Sequence, residues 1–172
     1  MMTTPRQPFA LFYDEVKDRV FRAVLASGRH PARAEDAVAD AFVKALERWD
    51  TVGAMSNPTA WVIRVAFNRY NSDWRIWRRE LPDPPQDRGV AADHPSDHDV
   101  LELVWHLPKR QRQVVALRIL ADLSEADTGT TLGISVKTVS VHLHRALATL
   151  RDGMAARQRE DDRWTTQTSP AE

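Results

Sequence analysis

The stretch Leu123–Leu150, LSEADTGTTLGISVKTVSVHLHRALATL, constrains the fold more than any other part of the chain. It reads as two short helices joined by a tight turn, with Leu132-Gly133-Ile134-Ser135 at the corner. Ser124 stands where the first helix needs an N-cap, with Asp127 three residues on in the reciprocal capping position, and Ser135 is placed to cap the second helix. Beyond it Val139, Leu143, Ala146, Leu147 and Leu150 recur every three or four residues, which gives one apolar stripe for packing on a core. The other face carries Lys137, Thr138, Ser140, Val141, His142, His144 and Arg145. A supported second helix that offers small, polar and basic side chains is the plan of a helix-turn-helix, whose second helix enters the major groove. The bland alternative is a helical hairpin that only packs.

A chain of 172 residues holds one medium domain or two small ones, and its 42% hydrophobic content is enough for a folded core. The absence of cysteine excludes disulfides and thiolate zinc sites and suits a reducing cytoplasm. The start, MMTTPRQPFALFYDE, lacks the basic segment and apolar run of a signal peptide, and no stretch approaches the roughly eighteen apolar residues of a membrane span, so no membrane insertion is expected. Zero formal net charge at first counts against a nucleic-acid partner. The charges are segregated, however. Five arginines face two acids from Pro58 to Glu80, six acids face Arg88 alone from Leu81 to Glu102, and eight basic residues face four acidic ones from Leu103 to Arg157. Local fields rather than the sum act on a partner.

Phe9 to about Ser27 has a helical pattern that Gly28 is expected to end. Pro31 opens a second helix with Val38, Phe42, Ala45 and Trp49 as its buried stripe and Asp36, Asp40, Lys44 and Glu47 opposite. Thr51–Pro58, TVGAMSNP, reads as a loop. Thr59–Arg79 is then a long helix, with Val62, Val65, Ala66 and Tyr70 inward and a second stripe of Arg64, Asn68, Asn71, Arg75 and Arg78. Arginine and asparagine beside Phe67, Trp74 and Trp77 can combine phosphate pairing, base-edge hydrogen bonds and ring stacking; the bland reading is a solvated basic face. The Pro-rich acidic segment from Leu81 reads as a flexible linker, and its DHPSDHD run (Asp93, His94, Asp97, His98, Asp99) is read as hydrated linker rather than a metal site, because Pro95 disrupts helical ligand spacing. A helix from Asp97 to His106, another opened by Pro108, the helix-turn-helix, and a polar tail after Arg157 that is expected to fray complete the chain.

Three blocks, AEDAVADAFVKALERWD (34–50), AWVIRVAFNRYNSDWRIWRR (60–79) and LPKRQRQVVALRILADLSEAD with LGISVKTVSVHLHRALATLR, in this order around an acidic linker, resemble the extracytoplasmic-function sigma factors, two-domain specificity subunits of bacterial RNA polymerase. The resemblance implies an all-α fold: a region 2 bundle (1–80), a linker (81–96), a region 4 helix-turn-helix (97–157) and a tail (158–172). It implies a cytoplasmic, non-enzymatic protein without cofactor or metal. Its partners would be promoter DNA and core RNA polymerase, through the largest-subunit clamp helices and the β flap, and an anti-sigma factor often holds such proteins inactive. Carried onto this sequence, Asp36, Asp40, Lys44 and Glu47 would dock on the clamp helices. Gly53, Met55, Ser56 and Asn57 would receive a flipped base of the −10 element, and Arg64, Phe67, Asn68, Asn71, Arg75 and Arg78 would hold the melted strand. Arg112, Ser135, Lys137, Thr138, Ser140, Val141, His142 and Arg145 would read the −35 duplex.

Thr128 and Gly129 stand where the family has an aliphatic residue and an alanine, which is expected to lose packing and, for mid-helix glycine, about 1 kcal/mol. Ser140 and His142 replace a common basic pair, so isolated −35 binding is expected to be weak. The competing reading is a helix-turn-helix regulator acting without core polymerase. An enzyme is disfavoured, since no nucleophile elbow, phosphate loop or metal-spaced cysteines occur.

Overall fold

The computed structural model describes residues 7–80 and 95–167, with side chains described throughout except at 73–80, 95–99, 160–162 and 164–167. All regular structure among these residues is helical: α1 (Phe9–Gly28), α2 (Pro31–Glu47), α3 (Trp49–Val52), α4 (Pro58–Glu80), α5 (Pro95–His106), α6 (Lys109–Val115) with a π-helical turn (Ala116–Leu120), α7 (Glu125–Leu132) and α8 (Val136–Gln167). The expected linker segment 81–94 lies outside the described residues, and Pro95 and Ser96 already belong to α5.

The architecture follows from α1. Phe12, Val16 and Val20 are buried at helical spacing, whereas Ala23, Val24, Leu25, Ala26 and Ser27 are all buried, so this last run of the helix has no solvent face. A helix buried all round lies between two layers. Here α2 and α4 pack on one side, and α5, α6 and the π-helical turn on the other. Val62, Ile63 and Phe67 of α4 therefore share one continuous core with Trp105, Leu107, Val115 and Leu117. The two helical units expected from the sequence meet across a common helix.

The first unit is closed at its outer end by rings. Phe12 lies 4.9 Å from Trp49, Phe9 lies 5.3 Å from Trp49, and Tyr13 meets Phe42 edge-on at 4.8 Å between centroids. These contacts fix α3, and α3 takes Thr51 and Val52 out of the expected loop, leaving Gly53–Asn57 as the turn before α4. In the second unit the helix opened at Lys109 widens after Val115, where the Ala121 N–H reaches back to the Ala116 carbonyl at 3.0 Å. The Arg118 guanidinium donates to the Leu123 carbonyl, and Asp122 takes a left-handed φ of 53°, which turns the chain into α7.

Three expectations change. Gly28 does not supply the left-handed cap of α1; Arg29 does, at φ 73°, with its N–H on the Leu25 carbonyl. Gly28 instead gives room for Tyr70, whose ring an added Cβ would overlap. Burial pushes the Tyr70 phenol up to about 12, so it sits there neutral. Residues 158–167 continue α8 as helix rather than fraying. Leu147, placed in the apolar stripe from the sequence, is 40% exposed.

The expected consequence of the Tyr70 contact is that Gly28→Ala destabilises the chain by about 1–3 kcal/mol, the cost of overpacking a filled core. Urea unfolding would show a lower midpoint at unchanged m; an unchanged midpoint would mean that Tyr70 moves aside freely.

Candidate nucleic-acid interface

The helix-turn-helix is built by its caps. The Ser124 hydroxyl accepts from the Asp127 N–H at 3.0 Å and donates to the Asp127 carboxylate at 2.8 Å. Gly133 at φ 65° ends α7, and the Ile134 N–H returns to the Gly129 carbonyl at 3.0 Å. Ser135 then caps α8, accepting from the Thr138 N–H at 3.1 Å while the two hydroxyls share a bond of 2.8 Å. Each cap satisfies an N–H that would otherwise lack a partner in the first turn.

The corner also explains one departure from the family. A Cβ on Gly129 would come within 2.8 Å of the Ile134 carbonyl oxygen, so glycine is what lets α7 lie this close to the turn. Its intrinsic helix penalty is thus offset by a close backbone approach. Thr128 is fully buried, and its hydroxyl has no hydrogen-bond partner, consistent with the expected loss against an aliphatic side chain.

On α8, Val139 and Ala146 are buried, with Leu143 and Leu150 packed partly against them. Lys137, Ser140, Val141, His144 and Arg145 are exposed. Lys137, Val141, His144 and Ala148, at steps of four, three and four, run along the side opposite the core. Thr138 is half-buried beside its cap. His142 departs from expectation: it is half-buried with Nδ1 enclosed, so it sits at the flank rather than on the outward face.

Arg112 departs further. Its Nε donates to the Ser27 carbonyl at 2.9 Å, and its Nη1 donates to the carbonyls of Trp105 at 3.0 Å and Leu107 at 3.3 Å. The guanidinium is spent inside the protein, across the seam between the two units. Burial lowers its pKa from the ordinary value and the Arg29 charge lowers it further, yet a guanidinium remains cationic.

In the first unit the turn before α4 is held by Asn57, whose Oδ1 accepts from the Ala60 N–H at 3.0 Å. Met55 and Ser56 are exposed and Gly53 is half-buried. Along α4, Asn68 is exposed, while Arg64 and Asn71 are half-buried. Arg75 and Arg78 fall on the same helix, with their side chains outside those described. Phe67 is a correction: at 1% exposure it belongs to the core and offers no ring for stacking. Two of these residues touch the other unit. The Asn57 amide donates to the Asp127 carboxylate at 3.3 Å, and Gln113 donates to Asn71 Oδ1 at 3.4 Å.

A third surface lies on α2. Asp36, Lys44 and Glu47 are exposed, and Asp40 pairs with Arg69 at 3.0 Å. Val43 and Leu46, each 55% exposed, stand among them. Sequence reasoning passed over both, although aliphatic residues on the polar side of a helical period were the available signal. Among the described residues no helix is long and apolar enough to cross a membrane.

A capped helix-turn-helix with an outward basic and apolar face, joined to a helical bundle carrying an asparagine-rich second surface, defines a DNA-binding protein of two α-helical units. Residues 12–79 match Sigma-70 region 2, and residues 97–150 match Sigma-70, region 4. The chain belongs to the extracytoplasmic-function (ECF) RNA polymerase sigma factors. It is 35% identical to the RNA polymerase sigma-E factor of Streptomyces coelicolor over 147 residues, covering 78% of this chain and 81% of that one. It is 33% identical to the ECF RNA polymerase sigma factor SigF of Caulobacter vibrioides, covering 72% of each. Among solved structures, the sigma factor RpoE of Bartonella quintana, in complex with the anti-sigma factor NepR, has the same fold at TM-score 0.76 and 21% identity, over 86% of this chain and 96% of that one.

Because a methyl group at position 129 would press on a backbone carbonyl, Gly129→Ala is expected to lose about 1–2 kcal/mol despite alanine's better helix propensity. Thermal unfolding decides the sign, and a higher Tm would show that α7 can shift away from the turn.

Proposed function

We propose that the chain directs core RNA polymerase to promoters by dividing three tasks among three surfaces. The exposed face of α2, with Asp36, Asp40, Lys44 and Glu47 set around Val43 and Leu46, docks on the polymerase clamp helices. The N-terminal half of α8 reads the −35 duplex. The turn 53–57 and the outer side of α4 hold the melted −10 strand through Asn57, Arg64, Asn68 and Asn71, with Arg75 and Arg78 on the same helix. The chain does no covalent chemistry of its own in this reading; it supplies binding and strand separation.

The observation that carries the proposal is the outward face of α8, exposed and fixed by the Ser135 cap, in a chain whose other half matches region 2. Val141 at 41% exposure and Val136 at 47% make little packing use of their side chains, and β-branched residues are not favoured on a helix surface. The thymine C5-methyl is the apolar feature of the major groove, so a valine at the centre of this face fits a thymine in the −35 element. Capture of the melted strand has less aromatic support than the sequence implied, because Phe67 is buried. Each base stacked on a protein ring would contribute about 1–3 kcal/mol, and without Phe67 the amide and arginine contacts carry more of the binding. A regulator acting without core polymerase gives residues 12–79 no comparable role. An anti-sigma factor is a partner that this reading accommodates.

Two measurements test the proposal. Reconstituted with core polymerase, the chain is expected to start transcription at defined sites on genomic fragments; no binding to core and no specific initiation would reject it. With the holoenzyme on such a promoter, Ser140→Lys is expected to steepen log K against log salt by about 0.9, the increment for one added phosphate contact. His142→Arg, starting from a half-buried position, is expected to change the slope less. An unchanged slope for Ser140→Lys would remove the outward face of α8 from the DNA.

A further inference from the structure

An aliphatic side chain stands between two cations on the outward face of α8. Lys137, Val141 and Arg145 follow one another at steps of four, and all three are exposed. The buried residues Val139 and Ala146 lie on the other side of the helix, so this row points away from the core. At 1.5 Å per residue each cation stands about 6 Å from the valine along the axis, one on either side. Long basic side chains so placed can reach phosphates that flank a groove and seat the row against the base edges between them.

The neighbours of Val141 keep that approach open. Ser140 is exposed and short, and His142 is half-buried at the flank with its Nδ1 enclosed. Val141 itself offers two methyl groups and no hydrogen-bonding atom. It is 41% exposed, and β-branched residues are among the poorer helix formers, so neither packing nor helix propensity accounts for it. Among the groups that base pairs display in the major groove, the pyrimidine C5-methyl is the apolar one. Thymine always carries it, and cytosine carries it only as 5-methylcytosine.

We infer that Val141 makes the N-terminal half of α8 a reader of one pyrimidine C5-methyl group, supplied by thymine or by 5-methylcytosine, with Lys137 and Arg145 seating it from the phosphates. Resting on the −35 reading proposed above, this assignment names the chemical group that is read. A valine tests the substituent at C5 and ignores the exocyclic oxygen or amino group that separates thymine from cytosine. A thymine at the contacted step therefore matches from the outset, whereas a cytosine there matches only after methylation. The same contact that selects a base thus makes the −35 element sensitive to cytosine C5 methylation.

The full chain, reconstituted with core polymerase, is bound to a promoter fragment on which it initiates. At each pyrimidine of the −35 element, on either strand, methylated and unmethylated bases are compared in pairs: thymine with deoxyuridine, and 5-methylcytosine with cytosine. The members of each pair share their hydrogen-bonding groups and differ by the methyl alone. One position is expected to favour the methylated base about fourfold, the equivalent of one methyl group removed from water, and the pair that shows it identifies the source. No preference at any position would overturn the proposal. Val141→Ser is expected to bring the ratio at that position to about one, and a ratio that survives the substitution would overturn the assignment to Val141. Each ratio is taken within one protein, so a general loss of affinity or stability in the variant does not imitate the result. Failure to initiate on the unmodified fragment rejects the sigma reading, whereas initiation without a methyl preference rejects this inference alone.

Discussion

Burial of the run Ala23–Ser27 of α1 on every side is the constraint from which the remaining organisation follows. A helix with a single apolar stripe can belong to one bundle, but the run Ala23–Ser27 has no face left for solvent and must be walled by two. One wall is α2 and α4, the other α5, α6 and the π-helical turn. Small side chains at Ala23 and Ala26 let both walls approach, and Gly28 lets Tyr70 close over the end. Desolvating that end leaves carbonyls in need of donors, and Arg112 answers for Ser27. Packing and polar satisfaction therefore converge on the same few residues.

The two surfaces proposed to meet DNA differ in how they are held. The α8 face is defined by local chemistry, two serine caps and a left-handed glycine, so its exposure does not depend on the distant half of the chain. The α4 surface is defined by long-range packing, and its polar groups share partners with α6 and α7. Local rules shape the α8 face, while tertiary contacts govern the α4 surface.

That difference also explains what could be read from the sequence. The helices, the corner at Gly133 and the caps at Ser124 and Ser135 were legible because each depends on neighbours within four residues. Phe67 was misplaced because one aromatic residue between an inward and an outward stripe satisfies either, and only the neighbouring helices decide. Arg112 was misplaced for a related reason: a basic residue in a basic segment looks destined for phosphate, whereas its partners are carbonyls that sequence does not display. Gly129 looked like a defect until the Ile134 carbonyl was found against it. Val43 and Leu46 were not legible as a surface because each adjoins the buried stripe of α2 in the helical period, and only the packing shows that they stay exposed.

The length of α8 has a mechanical meaning. From Val136 to Gln167 it is one unbroken helix of 32 residues, and at 1.5 Å per residue it forms a rod of about 48 Å. Its first turns carry the face proposed to read the groove, and Gly153, midway along it, packs on Leu103 of α5. Such a rod pivots more readily than it bends. A tilt of about ten degrees at its first turns would sweep the far end through roughly 8 Å, so small differences in how those turns seat against a partner are magnified at the other end of the rod.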